Sequence, residues 1–427
     1  MKKNNLNRKR LHHFRIKFIV LLTVLLISIG GVTGQEKGDK IPDPSVSSNP
    51  LDTSTVKTEK KKEWFEKISI RGYAQVRYNR LLETNPLLSC DQCDKSWGEN
   101  GGFFIRRTRI IFYGNVHDRV YIYIQPDFAS AISSTGLHYV QLRDAYFDLF
   151  LDNNKEFRFR VGQSKVPYGF ENLQSSQNRI PLDRHDALNS AVANERDLGV
   201  YFYYTPKKIR ERFKDLVSSG LKGSGDYGVL GLGIYNGQTA NKPEANNSAH
   251  YVYRLTYPFM LNNGQFIEAS VQGYHGNVVI NRTQTNGVSN EFFERRVAGT
   301  LVYYPQPLGF QAEFTMGNGP EFNSATKNVE NQDLYGGYAQ TMYMLKAGKQ
   351  LIIPFARWHY YKGGKKQEID ARRYLVNEQE IGIEWQPFPA FELVAMYTMS
   401  DRTFEDFKNP NNRQRGNLLR LQAQFNF

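Results

Sequence analysis

The residues that could do chemistry here are arginines set an even number of positions apart. Arg71 and Arg77, Arg107 and Arg109, and Arg158 and Arg160 form such pairs, and Arg119, Arg254, Arg296, Arg357 and Arg420 recur in similar polar settings. A planar guanidinium bonds two oxygens of a phosphate or carboxylate at once, so cations gathered on one face would favour anions. A second candidate is Cys90-x-x-Cys93. Its spacing suits a redox dithiol or half a zinc site, but no βαβ pattern surrounds it and no second pair completes four ligands. In an exported chain the pair reads as a local disulfide. There is no His-Glu-x-x-His and no Gly-x-Ser-x-Gly, and His117, His138, His185, His250, His275 and His359 are scattered. The sequence therefore points to no enzyme, no metal and no cofactor. Gly228, Gly231 and Gly233 resemble a phosphate loop only faintly, and glycines in a crowded strand explain them better.

Even spacing puts side chains on one face only in a β-strand, so strands must position these arginines. The final stretch shows the pattern most clearly. Leu419, Leu421, Ala423, Phe425 and Phe427 alternate with Leu418, Arg420, Gln422, Gln424 and Asn426. A membrane-crossing strand needs about 9–11 residues, apolar outward and polar inward, with aromatics at the interfaces. A last strand ending in Phe also resembles the C-terminal signal of bacterial outer-membrane proteins.

The other end of the chain supports export. Lys2, Lys3, Arg8, Lys9, Arg10, Arg15 and Lys17 precede an apolar run from Phe18 to Ile29 and small residues up to Gly34. That is the layout of a secretory signal peptide over residues 1–34. Those residues carry seven cations and no acids, so their removal lowers the net charge from +13 to +6. The high isoelectric point of about 9.4 thus owes half its excess to the export signal, and nucleic acid is not an expected partner. No other long apolar run follows and the mean hydropathy is −0.56, which excludes a helical membrane protein but not a β-barrel with a polar lumen. Aromatics make up 14% of the chain, enough to supply girdles at two interfaces.

Residues 35–66 are polar and rich in Pro, Ser, Thr, Asp and Lys, which predicts a flexible periplasmic segment. A barrel domain is expected over 67–427. Alternation runs from Ile68 through 103–115, 119–128, 139–151 and 157–166. After a long irregular stretch it resumes at 195–205, 226–236, 250–260, 264–278, 291–304, 310–318, 336–346, 351–362, 377–386, 390–402 and 417–427, about sixteen strands in all. Short and long connections take turns, as periplasmic turns and extracellular loops do. One short-side link, 206–225, is long and basic at Lys207, Lys208 and Arg210 and has no evident role. The fold class is all-β: a transmembrane antiparallel β-barrel of sixteen strands.

Several stretches resemble one family. Gly72-Tyr-Ala-Gln-Val-Arg-Tyr-Asn79, Phe104-Ile-Arg-Arg-Thr-Arg109, Tyr123-Ile-Gln-Pro-Asp-Phe128, Asp144-Ala-Tyr146 and above all Arg158-Phe-Arg-Val-Gly-Gln-Ser-Lys-Val-Pro-Tyr-Gly-Phe170 are similar to the phosphate-selective porin O and P family, in a Bacteroidetes-like branch. Glu171-Asn-Leu-Gln-Ser-Ser176 and Asn194-Glu-Arg-Asp-Leu-Gly199 flank the long loop in the same way. The resemblance implies a trimeric outer-membrane porin whose third extracellular loop, 167–194 here, folds into the lumen. The expected pore-lining and anion-binding residues are Arg71, Arg77, Arg107, Arg109, Arg119, Arg158, Arg160, Lys165, Arg179, Arg184 and Arg420. Acids share their faces, Asp127, Asp144, Asp148 and Glu313 among them, and many arginines could pair with these across strands. The expectation is passive diffusion of small hydrophilic solutes with a mild preference for anions such as phosphate. The alternative is a structural or adhesive barrel with an occluded lumen.

Overall fold

The computed structural model describes residues 63–88, 102–129, 138–283 and 289–427. The expected signal peptide, most of the following segment, and Cys90 with Cys93 lie outside the described residues. Sixteen staves form the sheet: β1 Ser69–Leu81, β2 Phe103–His117, β3 Val120–Asp127, β4 Gln141–Phe150, β5 Phe157–Lys165, β6 Arg196–Tyr204, β7 Leu230–Tyr235, β8 His250–Met260, β9 Phe266–Val279, β10 Glu291–Tyr303, β11 Leu308–Asn323, β12 Asn328–Tyr343, β13 Gln350–Gly364, β14 Arg373–Phe388, β15 Phe391–Glu405 and β16 Asn412–Asn426. Leu345–Ala347 continues β12 past Met344, since both pieces pair with β13. Each stave pairs antiparallel with its neighbour in sequence, and β16 returns to β1 with Val76 opposite Ala423. Closure leaves no unpaired edge, which a sheet in lipid requires. The last residue takes part: Gly72 N–H donates to Phe427 O at 2.7 Å and Phe427 N–H to Gly72 O at 3.0 Å.

The burial pattern is that of a soluble protein turned inside out. Ile70, Val76, Leu255, Val271, Leu421 and Phe425 are exposed, whereas Arg77, Arg254, Arg402 and Arg420 are among the most deeply buried side chains. The outer apolar face is the one that meets lipid and the inner face lines the lumen. Four staves run further than the apolar stripe predicts. β11 and β12 each have 16 residues and are joined by only 324–327. Above Met316 the alternation breaks down, with Gly319 to Phe322 all buried, yet the ladder continues, with Asn318 bonded to Asp333 and Asn323 to Glu330. A strand covered on both faces loses the alternation but keeps its backbone bonds. β14 and β16 likewise start earlier than expected, whereas β7 starts later, at Leu230, because Asp226 is drawn inward to Arg158. Gly233 is where crowding demands glycine: a Cβ there would sit 2.4 Å from the Tyr201 ring.

Two connections enter the cylinder. Residues 166–195, between β5 and β6, carry α1 (Phe170–Leu173) and α2 (Asp186–Ala191). This loop bonds Tyr73 of β1, Arg296 of β10, Glu313 of β11, Arg357 of β13, Arg402 of β15 and Arg420 of β16. A segment touching staves all around a closed ring can do so only from within. From the opposite end come residues 205–229, between β6 and β7, with α3 (Lys207–Ser218). Ile209, Phe213 and Leu216 recur at i, i+4 and i+7, one face of a helix. They are buried with Val302, Tyr304, Met342, Met344, Ile353, Phe355, Val394 and Met396 of the far wall.

The lumen as candidate functional site

The two halves of the inner wall carry opposite charge. On β1–β6 the buried ionisable side chains are Arg77, Arg80, Arg107, Arg109, Arg143, Arg158, Arg160, Lys165 and Arg196 against Asp127, Asp144, Asp148 and Asp197. On β8–β15 they are Arg254, Arg296, Arg357 and Arg402 against Glu268, Glu294, Glu313, Glu321, Glu378, Glu380, Glu384, Glu392 and Glu405. Nine cations to four acids face four cations to nine acids. Strand alternation fixes which face each side chain takes, and the ring brings the two sets opposite one another. The inward loop lies between them and bonds to both.

Most of the arginines singled out by sequence are paired. Arg109 donates Nε to Asp127 at 2.7 Å and Nη1 to the Tyr73 hydroxyl at 2.8 Å. Arg160 grips Asp148 with two bonds of 2.7 and 2.8 Å and lies 3.9 Å over the Tyr146 ring. Arg158 donates to the Asp226 carboxylate at 2.8 Å and to its carbonyl at 2.9 Å. Asp183 of the inward loop takes both Arg77, at 3.2 Å, and Arg420. It therefore straddles the seam where β1 meets β16. Burial alone would push the Asp183 carboxyl up, but Arg420 and Arg77 outweigh it and hold it well below the ordinary carboxylate range. Lys165 donates to the carbonyls of Leu173 and Gln174 at 3.0 and 2.9 Å, closing the C-terminal end of α1. Arg184 reaches Asn172 at 3.2 Å and Glu195 at 3.4 Å, and burial pulls its guanidinium down to about 10.

Two buried arginines of the set have no carboxylate within hydrogen-bond distance. Arg107 gives one bond to Gln75 at 2.8 Å, and its Nε has no partner. Arg179 has no partner at Nε or Nη1, and its nearest carboxylate, Glu195, is 3.9 Å away. Both lie in one cluster, where Arg77, Arg106, Arg109 and Arg179 all act on Arg107. Arg71 and Arg119 are placed elsewhere. Arg71 is exposed, with its guanidinium 5.3 Å from the Tyr113 ring centre. Arg119, expected on a strand's inner face, stands in the β2–β3 turn and bonds Leu151 O and Asn153.

Sequence reasoning passed over the acids of the inward loop. Glu171 bonds Arg357 at 2.8 Å, and Asp186 bonds Lys365 at 2.5 Å and Arg402 at 2.7 Å. It also passed over Lys222, whose ammonium reaches Glu384 at 2.5 Å. Burial drags Lys222 down, yet Glu384 and Glu392 together hold it above the ordinary lysine value. Asp186, His359 and Glu378 offer ligand atoms within 4.8 Å of one another. The cationic role there is filled by Arg402, bonded to both carboxylates at 2.7 and 2.6 Å, and by Lys365.

Among solved structures, OmpF of Salmonella typhi shares this fold with a TM-score of 0.53 and 12% identity, over 84% of this chain and 97% of that one. The outer membrane channel DcaP of Acinetobacter baumannii gives 0.52 and 13% over the same shares. OmpT of Vibrio cholerae, in its trimer form, gives 0.51 and 11% over 84% and all of that chain. No curated protein matches by sequence. The family described as phosphate-selective porin O and P matches residues 89–288 and 277–427, most of the chain. The chain therefore belongs to the phosphate-selective porin O and P family, and is an outer-membrane porin that works by passive diffusion.

Proposed function

We propose that this porin passes small hydrophilic solutes with a mild preference for anions such as phosphate, along the basic half of its lumen. The observation that carries the reading is the Arg107–Arg179 cluster, where buried guanidinium nitrogens lack a hydrogen-bond partner. Such nitrogens are costly unless an acceptor visits them, and an anion is the acceptor that fits. Neighbouring cations in the set, Arg77, Arg109, Arg158, Arg160, Lys165, Arg184 and Arg420, shape the field while their own bonds go largely to protein groups. That limits the preference: an anion meets a few available donors rather than a continuous ladder. Transport rather than catalysis is the role that family membership supports. We assign the outer surface to contact with outer-membrane lipid, and a homotrimer as the assembly, which the shared fold with the OmpT trimer supports. Residues 1–34 act as a cleaved signal peptide and 35–66 as a periplasmic segment. Reversal potentials of the purified protein in a planar bilayer under a salt gradient test the preference. A potential of anionic sign supports it, and a cationic sign refutes it.

A second reading has its own observation. The inward loop and α3 fill the cylinder from both ends, which suits a structural barrel with an occluded lumen. Single-channel current separates the two, since an occluded barrel carries none.

A further inference from the structure

We propose that residues 206–229 are a plug seated in the periplasmic mouth, which sets the channel's conductance and size limit and is latched to the far wall by Lys222. The proposal rests on the porin reading and goes beyond it. Adjacent antiparallel staves need only about two to five residues between them, yet β6 and β7 are joined by residues 205–229. The excess does not hang below the barrel. Its helix buries Ile209, Phe213 and Leu216 against inward side chains of β10, β12, β13 and β15. Those inward positions are apolar where a porin lumen is polar. Without α3 an apolar patch would line the channel mouth. Two features of the sequence, the i, i+4, i+7 face and the inward apolar patch, are thus complementary.

Polar bonds fix the plug at several points. Arg210 donates to Asn154 O at 2.8 Å and Arg212 to Pro258 O at 2.5 Å. Asp226 takes Arg158, and Lys222 crosses to Glu384 of β14 and faces Glu392 of β15 at 3.9 Å. Staves β6 and β14 stand on opposite sides of the ring, so the segment spans the opening. Sixteen strands spaced about 4.8 Å and tilted about 40° enclose a backbone ring roughly 30 Å across, and α3 with its 12 residues is about 18 Å long. The Gln174 side chain donates to Lys222 O at 2.6 Å, so inward loop and plug touch. A solute that passes the loop must still pass the plug.

The test uses full-length protein extracted from outer membranes. Single-channel conductance and liposome swelling with sugars of increasing size are compared for the wild type, the triple variant Ile209→Ser/Phe213→Ser/Leu216→Ser and the single variant Lys222→Gln. Heat-modifiable gel migration reports whether each barrel is folded. The triple variant should conduct at least about threefold more and admit larger sugars, because a helix about 10–12 Å wide leaves the mouth. Lys222→Gln, which keeps every apolar contact, should show brief openings to the same large state. A silent wild type with a conducting variant also supports the plug. Equal conductance and size limit in all three folded proteins overturns the plug alone, and silence of all three overturns the channel with it. If the triple variant does not fold, Lys222→Gln decides, and its unchanged conductance refutes the proposal.

Discussion

Replacing Asp183 by Asn should release the inward loop from the barrel seam. The carboxylate is shared by Arg77 and Arg420, whose side chains are each about 1% exposed. Removing the charge leaves two desolvated guanidiniums without their common acid, a change that costs about 3–5 kcal/mol in buried pairs. At roughly 1.4 kcal/mol per tenfold, the undocked population of the loop should rise about a hundredfold or more. Arg179 and Arg184 are tryptic sites inside the loop and are shielded when it is docked. Limited trypsinolysis of the folded protein, followed by mass spectrometry, reads the effect directly, because cleavage tracks the open population when reclosing is fast. The double variant Asp183→Asn/Arg420→Gln should recover part of the protection, since one of the two charges left without its acid is then gone. Cleavage within threefold of wild type, in a barrel that remains heat-modifiable, would refute the clamp.

Three further outcomes follow from the same contacts. Asp183 is held below its ordinary range, so its contribution is complete above about pH 3.9 and drains away as pH falls toward the folded value; hydrogen-exchange protection over 166–195, corrected for the intrinsic rate at each pH, should fall at acid pH, and less so in Asp183→Asn. Arg107→Gln combined with Arg179→Gln should lower the anion-to-cation permeability ratio by about twofold or more, measured from reversal potentials, with unchanged gel migration. Gly72→Ala places a Cβ 2.4 Å from the Phe427 ring and 2.6 Å from Arg109 O; overpacking of this kind costs about 1–3 kcal/mol, and the temperature of heat modification should drop.

Strand alternation made the cylinder legible. In β16 the apolar Leu421 and Phe425 and the polar Arg420 and Gln424 take the faces their spacing predicts. The inward loop was legible by its resemblance and its place after β5. Charge pairing was not, because it joins residues remote in the chain: Asp183 and Arg420 are 237 residues apart. Arg119 misled because a turn residue beside an alternating run keeps the same parity. The plug stayed hidden for two reasons. Lys207, Lys208 and Arg210 dominate the composition of 206–225 and mask the apolar triple beneath them. Its receptor surface is also ambiguous, since Leu351, Ile352 and Ile353 read alike on either face of a strand and only the closed ring says which points in. The difference between Arg107 and Arg109, an available Nε against one bonded to Asp127, shows only in three dimensions.

The hairpin of β11 and β12 reaches beyond what the bilayer requires. Sixteen residues per strand, at about 3.4 Å each and tilted about 40°, climb roughly 40 Å, whereas the apolar band of such a barrel is about 25 Å tall. The surplus is a stiff ladder ending in the tight tip 324–327, a turret rather than a floppy arm. A short epitope spliced into that tip would be displayed on intact cells at a fixed standoff, and would leave the channel below it undisturbed.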